Sequence, residues 1–372
     1  MKVYLDYNGT TPVAKEVQEI MARVIRTCWG NPSSSHSAGK AAGKILEEAR
    51  CRTAEAINAS PSEIVFTSGG TESNNMVLLG AACANSPAKR HIITSKIEHP
   101  SVLNPCIHLL EQGWDITFVG VDESGVVNTA EIEAAIGSNT ALISIMLANN
   151  ETGVIQPIEK ICDMAHRHGV PVHTDAAQAV GKMPVDVNRL GADYLTVAGH
   201  KLYAPKGIGA LYVKKGSPWQ NLMFGAGQEH GMRPGTEPVH SAAAIGEACR
   251  LVTSDLAMAV EKMKKLRDRL FQLLQEVSDS RVYRYGEPDN TLCNTLLVSF
   301  PGRIGSEILT ACPDLMASTG AACHDRQVAI SHVLAAMHVP EEVAMGTLRL
   351  TLGRYTTETD ITQAAELIRT AL

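Results

Sequence analysis

The chain has 372 residues, of which 45% are hydrophobic, and its formal net charge is −6. This length and hydrophobic content suffice for a large buried core, which we expect to be divided between two domains. No Lys/Arg run forms a basic patch, no apolar run approaches the roughly 18 residues that span a bilayer, and residues 1–6 show no signal-peptide pattern. We therefore expect a cytoplasmic protein that binds neither nucleic acid nor membranes.

The predicted elements begin with a helix that contains Val17, Ile20 and Val24 and follows the turn-rich segment 6–12. Apolar strand-like runs then alternate with helix-length stretches such as 72–83 and 158–168. The predicted strands are residues 64–67, 91–95, 116–119, 142–147, 170–172, 194–197 and 210–213. This alternation predicts an α/β domain with a mostly parallel sheet, in which ligands bind beyond the carboxyl ends of the strands.

A long amphipathic helix is predicted next, with Leu256, Leu266 and Val277 on its apolar face. It marks the passage into a second domain, whose candidate strands are residues 296–300 and 348–352. The chain ends in a short helix with Ile361 and Ile368 on one side.

The chain contains nine cysteines, and no two of them form a C-x-x-C motif. An odd number without paired spacing argues against a disulfide framework and against a zinc site, so we expect no metal. Cys162 and Cys249 lie on helical apolar patterns and are predicted to be small core residues.

Lys201 and Asp175 each follow a predicted buried strand. A lysine in such a place is costly unless it loses its charge or finds a partner, and an imine is one solution. Pyridoxal 5'-phosphate (PLP) needs a lysine for its Schiff base and a carboxylate for its pyridinium nitrogen. Considered alone, the pair fits equally well a solvated loop lysine and a helix N-cap aspartate.

Three further segments at strand ends are candidates for ligand binding. The turn Gly69-Gly70-Thr71 leads from a strand into a helix, where free N–H groups and the helix dipole bind phosphate, although an ordinary capped turn has the same pattern. His99 could stack on a flat ring or transfer protons, and the alternative is a surface histidine. Asn150, in an adjacent pair of asparagines, could anchor a carboxylate or could simply form a turn.

Two residues of the second domain are also candidates. Strand alternation puts Arg349 on one face of its strand, whereas Arg354 falls at the strand end, where its fork suits an α-carboxylate or a surface ion pair. Cys323 lies among small and polar residues, 318–325, without an apolar period. This composition predicts an accessible, mobile loop, in which a cysteine with a lowered pKa is a candidate nucleophile.

Taken together, these motifs resemble those of the NifS-like cysteine desulfurases and selenocysteine lyases, in the PLP-dependent class V aminotransferase superfamily. The resemblance extends from Asp6-Tyr7-Asn8 to the segment 353–357. It implies PLP-dependent transferase fold type I, with a mostly parallel seven-stranded sheet in a large PLP-binding domain of residues 15–250. Residues 1–14 and 251–372 then form a smaller α+β domain that carries the catalytic cysteine loop.

The resemblance also implies a role for each candidate residue. Lys201 carries the PLP imine and then removes the Cα proton, Asp175 pairs with the pyridinium nitrogen, and Cys323 is the nucleophile. By the same resemblance, His99 stacks on the ring and Gln178 bonds the phenolic oxygen. The phosphate is bound by Gly70, Thr71 and His200, and by Thr236 from the partner subunit of a homodimer. Asn150 and Arg354 bind the substrate carboxylate. The implied reaction converts L-cysteine to L-alanine and leaves a persulfide on Cys323 for transfer to an acceptor protein.

The motifs depart from the desulfurase pattern at a few positions. Ala198 stands where many desulfurases have a phosphate-binding serine, and Pro238 replaces the usual asparagine. The run Gly320-Ala321-Ala322-Cys323-His324 is more similar to the selenocysteine lyase version, whereas Pro100 is similar to the desulfurases. We favour a desulfurase that also acts on L-selenocysteine, and a selenocysteine lyase stays an alternative.

Two other classes of protein remain open. A PLP aminotransferase of other chemistry needs Lys201 and Asp175 but has no use for an exposed Cys323. A non-enzymatic sulfur carrier or scaffold needs Cys323 but has no use for Lys201. The sequence does not identify the acceptor, nor does it decide between iron–sulfur cluster assembly, tRNA thiolation and selenium recycling.

Overall fold

The computed structural model describes residues 2–84, 89–278, 281–324 and 327–372, with the backbone alone at Ala81 and at residues 321–324 and 327–329. The α-helices are α1 (Lys15–Thr27), α2 (Ser37–Glu55), α3 (Gly70–Asn75), α4 (Pro100–Glu111), α5 (Thr129–Ala135), α6 (Ile158–Arg167), α7 (Val187–Leu190), α8 (Val239–Ser254), α9 (Leu256–Val277), α10 (Gly305–Ala311), α11 (His332–Ala336), α12 (Glu341–Ala344) and α13 (Glu358–Ala371). The strands are β1 (Val3–Tyr4), β2 (Ile64–Thr67), β3 (His91–Ser95), β4 (Asp115–Val119), β5 (Thr140–Ser144), β6 (Val172–Asp175), β7 (Tyr194–Ala198), β8 (Gly209–Val213), β9 (Tyr283–Arg284), β10 (Thr295–Ser299), β11 (Leu315–Met316), β12 (Ser318–Thr319), β13 (Ala321–His324), β14 (Gln327–Ile330) and β15 (Thr347–Thr351).

A seven-stranded sheet with the strand order β2-β8-β7-β6-β5-β3-β4 forms the centre of the described chain. Strands β3 to β7 pair in parallel, and β8 runs antiparallel to both of its neighbours, β7 and β2. The mostly parallel sheet predicted from the sequence is therefore confirmed. Because β2 runs in the same direction as β7, the carboxyl ends of six strands meet at one edge, where a ligand site is expected.

The strand bounds differ from the prediction at two places that matter for the site. Strand β5 ends at Ser144 rather than at residue 147, and β6 begins at Val172 and ends at Asp175. Ile145, Met146 and Leu147 are buried, so their apolar character continues beyond the end of the strand. Asp175 is therefore the last residue of a strand and not a residue that follows it.

The helix predicted over residues 72–83 changes its geometry along its length. Helix α3 ends at Asn75, and the chain continues as π-helix over Met76–Ala81.

Helix α2 was not predicted. It packs so tightly on α8 that a Cβ at Gly246 would lie 2.7 Å from the Cα of Ala49. Small residues at this contact give only a weak apolar period, which is why the sequence pattern did not indicate α2.

A second sheet of four antiparallel strands has the order β12-β15-β10-β9. Helices α9 and α13 cover it through a hydrophobic core of their own, which includes Leu270, Leu296, Leu348 and Ile368. Val3 and Leu5 belong to the same core, whereas Tyr7 and Ala14 belong to the core of the large sheet. The domain bounds themselves stay a prediction.

Two further observations concern membrane-spanning helices and the cysteines that were predicted to lie in the core. Among the described residues, no helix combines the length and the apolar character that crossing a membrane requires. Cys162 in α6 and Cys249 in α8 are buried in the core of the large sheet, and the prediction for both is confirmed.

Candidate active site

A cavity of about 380 Å³ lies beyond the carboxyl ends of the parallel strands. It brings together the predicted residues Gly70, Thr71, His99, Asn150, Asp175, Gln178, His200 and Lys201. Sequence reasoning assigned no site role to several other lining residues, among them Asn8, Gly9, Ser101 and Arg349. Residues 170 positions or more apart in the chain thus contribute to one site.

Lys201 ends the short 3-10 turn Gly199–Lys201 that follows β7. Its Nζ donates hydrogen bonds to the carbonyl oxygens of Asn8, at 2.5 Å, and Gly9, at 2.7 Å. Burial lowers the pKa of Lys201 to about 8, and the positive charge of Arg349 contributes in the same direction. An amine with such a pKa is partly neutral near physiological pH, which suits a nucleophile and a proton acceptor.

The Asp175 carboxylate, at the end of β6, is 8% exposed and is held from two sides. The backbone N–H of Ala177 donates to Oδ1 at 2.9 Å, and the side-chain amide of Asn74 donates to Oδ2 at 2.7 Å. Hydrogen bonds of this kind fix the direction of the carboxylate.

His99 caps helix α4, and its protonation follows from its hydrogen bonds. The backbone N–H of Ser101 donates to Nδ1 at 3.1 Å, so that nitrogen is an acceptor. Burial lowers the pKa of His99, and nearby Lys201 and His332 lower it further. The neutral imidazole therefore carries its proton on Nε2.

The phosphate-binding turn predicted at Gly69-Gly70-Thr71 lies at the start of α3. Gly69 has φ +152°, and a Cβ at Gly209 of strand β8 would come within 2.7 Å of the Gly69 Cα. Glycines at both positions therefore let the turn pack against the sheet. Burial and the charge of Lys201 lower the pKa of His200 to about 4, so its imidazole is neutral. Together Thr71 and His200 offer uncharged donors around the helix start.

The two arginines of the second domain have different surroundings. Arg349 lines the cavity, donates from Nη1 to the Asn150 carbonyl oxygen at 3.2 Å and pairs with Asp6 at 2.8 Å. Its Nε is buried and has no partner among the described residues. Arg354 is outside the set of described residues that line the cavity and pairs with Asp255 at 2.5 Å. The structure thus places Arg354, which sequence reasoning had singled out, outside the set of described lining residues, and Arg349 of strand β15 inside that set.

Thr236 also lies outside the cavity. It is an exposed residue in the segment between the turn Glu229–Gly231 and helix α8. A buried, bidentate ion pair between Arg50 and Glu229, with N–O distances of 2.7 and 2.9 Å, holds the start of this segment. Arg233 binds Glu72 of the phosphate-binding turn at 2.9 Å. The segment is therefore tied to helix α3, and Thr236 itself is not among the described residues that line this cavity.

Cys323 lies on strand β13, which forms an antiparallel hairpin with β14. Its side chain is outside the part of the chain that the structure describes. The base of the hairpin contacts the cavity edge twice: Ser331 Oγ donates to Glu151 at 2.5 Å, and His332 Nε2 lies 2.9 Å from the Glu98 carbonyl oxygen. The backbone thus brings the hairpin to the side of the site where His99 lies.

Some of the residues that sequence reasoning missed had a detectable signal. Asn74 stands in the same Gly-Gly-Thr-Glu-Ser-Asn-Asn motif as Thr71, and Arg349 stood on a defined face of its strand. Asn8 stood in the motif Asp6-Tyr7-Asn8, but its partners come from distant parts of the chain, so no local pattern indicated its role.

The donors and acceptors of the cavity fit PLP. A lysine amine, a fixed carboxylate, a glycine turn with hydroxyl and imidazole donors, and the amide of Gln178 all line the same space. They match an aldehyde, a pyridine nitrogen, a phosphate and a phenolic oxygen, respectively. Among the described residues, no group of His, Cys, Asp and Glu forms a metal site.

The chain is similar to known proteins over nearly its whole length. The family model "Aminotransferase class-V" matches residues 3–363. A protein named cysteine desulfurase IscS from Dictyoglomus turgidum is 43% identical over 370 residues, covering 99% of this chain and 93% of that protein. The protein of the same name from Methanosarcina thermophila is 42% identical, covering 98% and 91%.

Solved structures give the same result. A NifS-like protein superimposes with a TM-score of 0.93 at 37% identity, covering 100% of this chain and 99% of that one. The structure titled SspA in complex with cysteine has a TM-score of 0.83 at 37% identity, covering 95% and 100%.

The fold and the site define a PLP-dependent enzyme of fold type I. The chain belongs to the class-V aminotransferase family, and its similarity to the NifS-like cysteine desulfurases, inferred from sequence motifs, is confirmed.

Proposed function

We propose that the chain is a PLP-dependent cysteine desulfurase that converts L-cysteine to L-alanine and receives the sulfur on Cys323 as a persulfide. The observation that carries this proposal is that Lys201 and Asp175 line one cavity of the size and polarity that PLP requires. The names of the relatives and the structural neighbour in complex with cysteine support the substrate.

The chain's own groups have distinct tasks in this reaction. When bound, PLP would withdraw electrons from the substrate Cα, which makes the Cα proton and the bond between Cβ and sulfur labile. Lys201, with its lowered pKa, accepts that proton at Nζ. The Asp175 carboxylate would hold a protonated pyridine nitrogen, and His99, which lines the same cavity, would offer the N–H of its Nε2. Cys323 attacks the substrate sulfur as a thiolate.

We assign the substrate carboxylate to Arg349 and Asn150 rather than to Arg354. Arg349 lines the cavity and, besides its ion pair with Asp6, has a buried Nε without a partner among the described residues. Arg354 is not among the described residues that line the cavity, and it pairs with Asp255. A guanidinium fork beside an amide matches a carboxylate in shape and charge.

The proposal includes a homodimer, an acceptor protein and a cytoplasmic location. Thr236 is exposed, and the chain just before the turn Glu229–Gly231 exposes Phe224 at 88% and Met223 at 40%, which suits an interface with a second copy. In that arrangement Thr236 reaches the partner subunit's phosphate. The acceptor would receive sulfur from the hairpin that carries Cys323.

A selenocysteine lyase is the second candidate, because the run Ala321-Ala322-Cys323-His324 is similar to that of the lyases. The test compares sulfide, selenide and alanine release from L-cysteine and L-selenocysteine. Cys323→Ser should abolish cysteine turnover, and preserved selenocysteine turnover would show that the thiol serves sulfur only. Cys51→Ser, a partly exposed cysteine on α2, is the matched control.

Two outcomes would contradict the proposal. Full cysteine turnover by Cys323→Ser would favour a PLP enzyme of other chemistry. A colourless protein on which borohydride does not fix PLP at Lys201 would favour a non-enzymatic sulfur carrier.

A further inference from the structure

Lys182 is a buried lysine beneath the cavity floor, and the reaction described above does not use it. It is 6% exposed, and its Nζ donates to Gln178 Oε1 at 2.7 Å and to Asn8 Oδ1 at 3.1 Å. Gln178 and Asn8, which accept these bonds, both line the cavity, whereas Lys182 is not among the described residues that line it. Its contacts therefore reach the site through two amide side chains.

Backbone carbonyl groups, which only accept hydrogen bonds, identify which atom of each amide is the nitrogen and which is the oxygen. The Nε2 of Gln178 donates to the Asn8 carbonyl oxygen at 3.0 Å, so Oε1 of Gln178 must face Lys182. The Nδ2 of Asn294 donates to the Leu352 carbonyl oxygen and to Asn8 Oδ1, both at 3.0 Å, so Asn8 also turns its oxygen to Lys182. Two buried oxygens thus converge on one donor.

We propose that Lys182 is a positioning residue: by donating to Gln178 Oε1 and Asn8 Oδ1, it keeps the Gln178 amide turned so that an N–H, and not an oxygen, faces the cavity. The cavity then selects an oxygen acceptor at this position, which is the phenolic oxygen of PLP. The inference rests on the proposed function and extends it to a residue outside the cavity.

The same network reaches the reactive lysine. The Asn8 carbonyl oxygen accepts both the Gln178 amide and Lys201 Nζ. Burial, with the charge of Lys201 acting in the same direction, lowers the pKa of Lys182 to about 7. Even as a neutral amine, Lys182 retains two N–H groups for its two acceptors, so the orientation does not depend on its charge.

The test measures PLP binding to apo-protein, by fluorescence titration, and the visible absorption maximum of the bound PLP. Lys182→Met leaves two buried oxygens without a donor, and the Gln178 amide can rotate to satisfy its own oxygen. We expect PLP to bind about tenfold more weakly. We also expect the absorption maximum to move in the same direction as in Gln178→Met. The variant that carries both Lys182→Met and Gln178→Met should bind PLP no more weakly than the single variant with the lower PLP affinity, because both changes remove the same interaction.

Arg267→Met is the matched control, since Arg267 is a fully buried cation of α9 that bonds to the Thr291 and Leu292 backbone and is not among the described residues that line the cavity. It should lower the melting temperature without changing PLP affinity or absorption. Lys182→Gln is the second variant if Lys182→Met does not fold. Its shorter amide retains one donated bond, so an intermediate affinity is expected.

Unchanged PLP affinity and absorption in Lys182→Met, or in Lys182→Gln, would overturn the inference, as would additive losses in the double variant. A wild-type chain that does not bind PLP would overturn the proposed function as well. The two failures are therefore distinguishable.

Discussion

The side chains of Asn74 and Asp175 are joined by a hydrogen bond of 2.7 Å, from Asn74 Nδ2 to Asp175 Oδ2. The same Nδ2 donates to Ser101 Oγ at 2.8 Å, and Ser101 Oγ lies 2.7 Å from His99 Nδ1. One chain of hydrogen bonds thus connects the carboxylate with the imidazole. The orientation of both groups depends on Asn74, a residue of α3 that belongs to neither strand end.

Asp175→Asn should lower the rate of alanine release at least about 100-fold, a loss typical of removing one preorganised electrostatic group. The neutral amide retains the shape of the carboxylate but no longer stabilises a protonated pyridine nitrogen. Asn74→Ala should cost less, because the carboxylate remains and loses one donor. Asp186→Asn, which retains the N-cap of α7, is the control in the same steady-state assay. Equal activities of Asp175→Asn and the control would refute this role.

Arg349→Lys should raise the KM for cysteine about tenfold or more, because a lysine cannot replace the bidentate fork at a carboxylate. Arg354→Lys should leave KM nearly unchanged, since Arg354 pairs with Asp255 and packs over the Tyr203 ring. Initial rates at varied cysteine concentration separate the two. The opposite result would restore Arg354 as the substrate-binding arginine.

PLP capture by the apo-protein should accelerate as pH rises and level off above about pH 8. The neutral amine of Lys201 is the nucleophile, and burial together with the Arg349 charge lowers its pKa to about 8. Arg349→Met removes one cause of this shift, so its midpoint should lie at higher pH. Borohydride trapping at fixed times, followed by mass spectrometry, gives the rates. A wild-type midpoint near the ordinary lysine pKa would contradict the assignment.

Glu98→Gln should stabilise the apo-protein at pH 8 relative to pH 5. Burial raises the pKa of Glu98 to about 8, and its Oε2 has no partner among the described residues. The folded state therefore binds a proton that the unfolded state releases above about pH 4.5, so Glu98 costs stability progressively as pH rises towards 8. We expect the variant to gain on the order of a few kcal/mol at pH 8 and little at pH 5.

Urea unfolding of both proteins at the two pH values measures this difference. Glu63→Gln, a change at a partly exposed capping residue, is the control. The same wild-type-to-variant difference at pH 5 and pH 8 would show that Glu98 is ionised in the folded state.

Sequence reasoning identified the residues whose chemistry is local. Lys201 and Asp175 were recognised because each follows a short apolar run, and buried strands leave their carboxyl ends at one edge of a parallel sheet. The same reasoning misplaced the ends of β5 and β6. For β5 the reason is that burial of Ile145 to Leu147 continues beyond the ladder of hydrogen bonds. It also chose Arg354 over Arg349, since the pattern of one strand does not show which of its faces meets the cavity.

The sequence by itself determined the α/β class, the mostly parallel sheet and the PLP-binding chemistry, because apolar periodicity and strand-end motifs involve residues that are neighbours in the chain. Only the tertiary structure decided which groups hold the reactive ones. Asn8 bonds Thr351, Thr295 and Lys182, residues 343, 287 and 174 positions away. Partners so distant are chosen by how the two sheets and the N-terminal segment pack, and no local pattern contains that information.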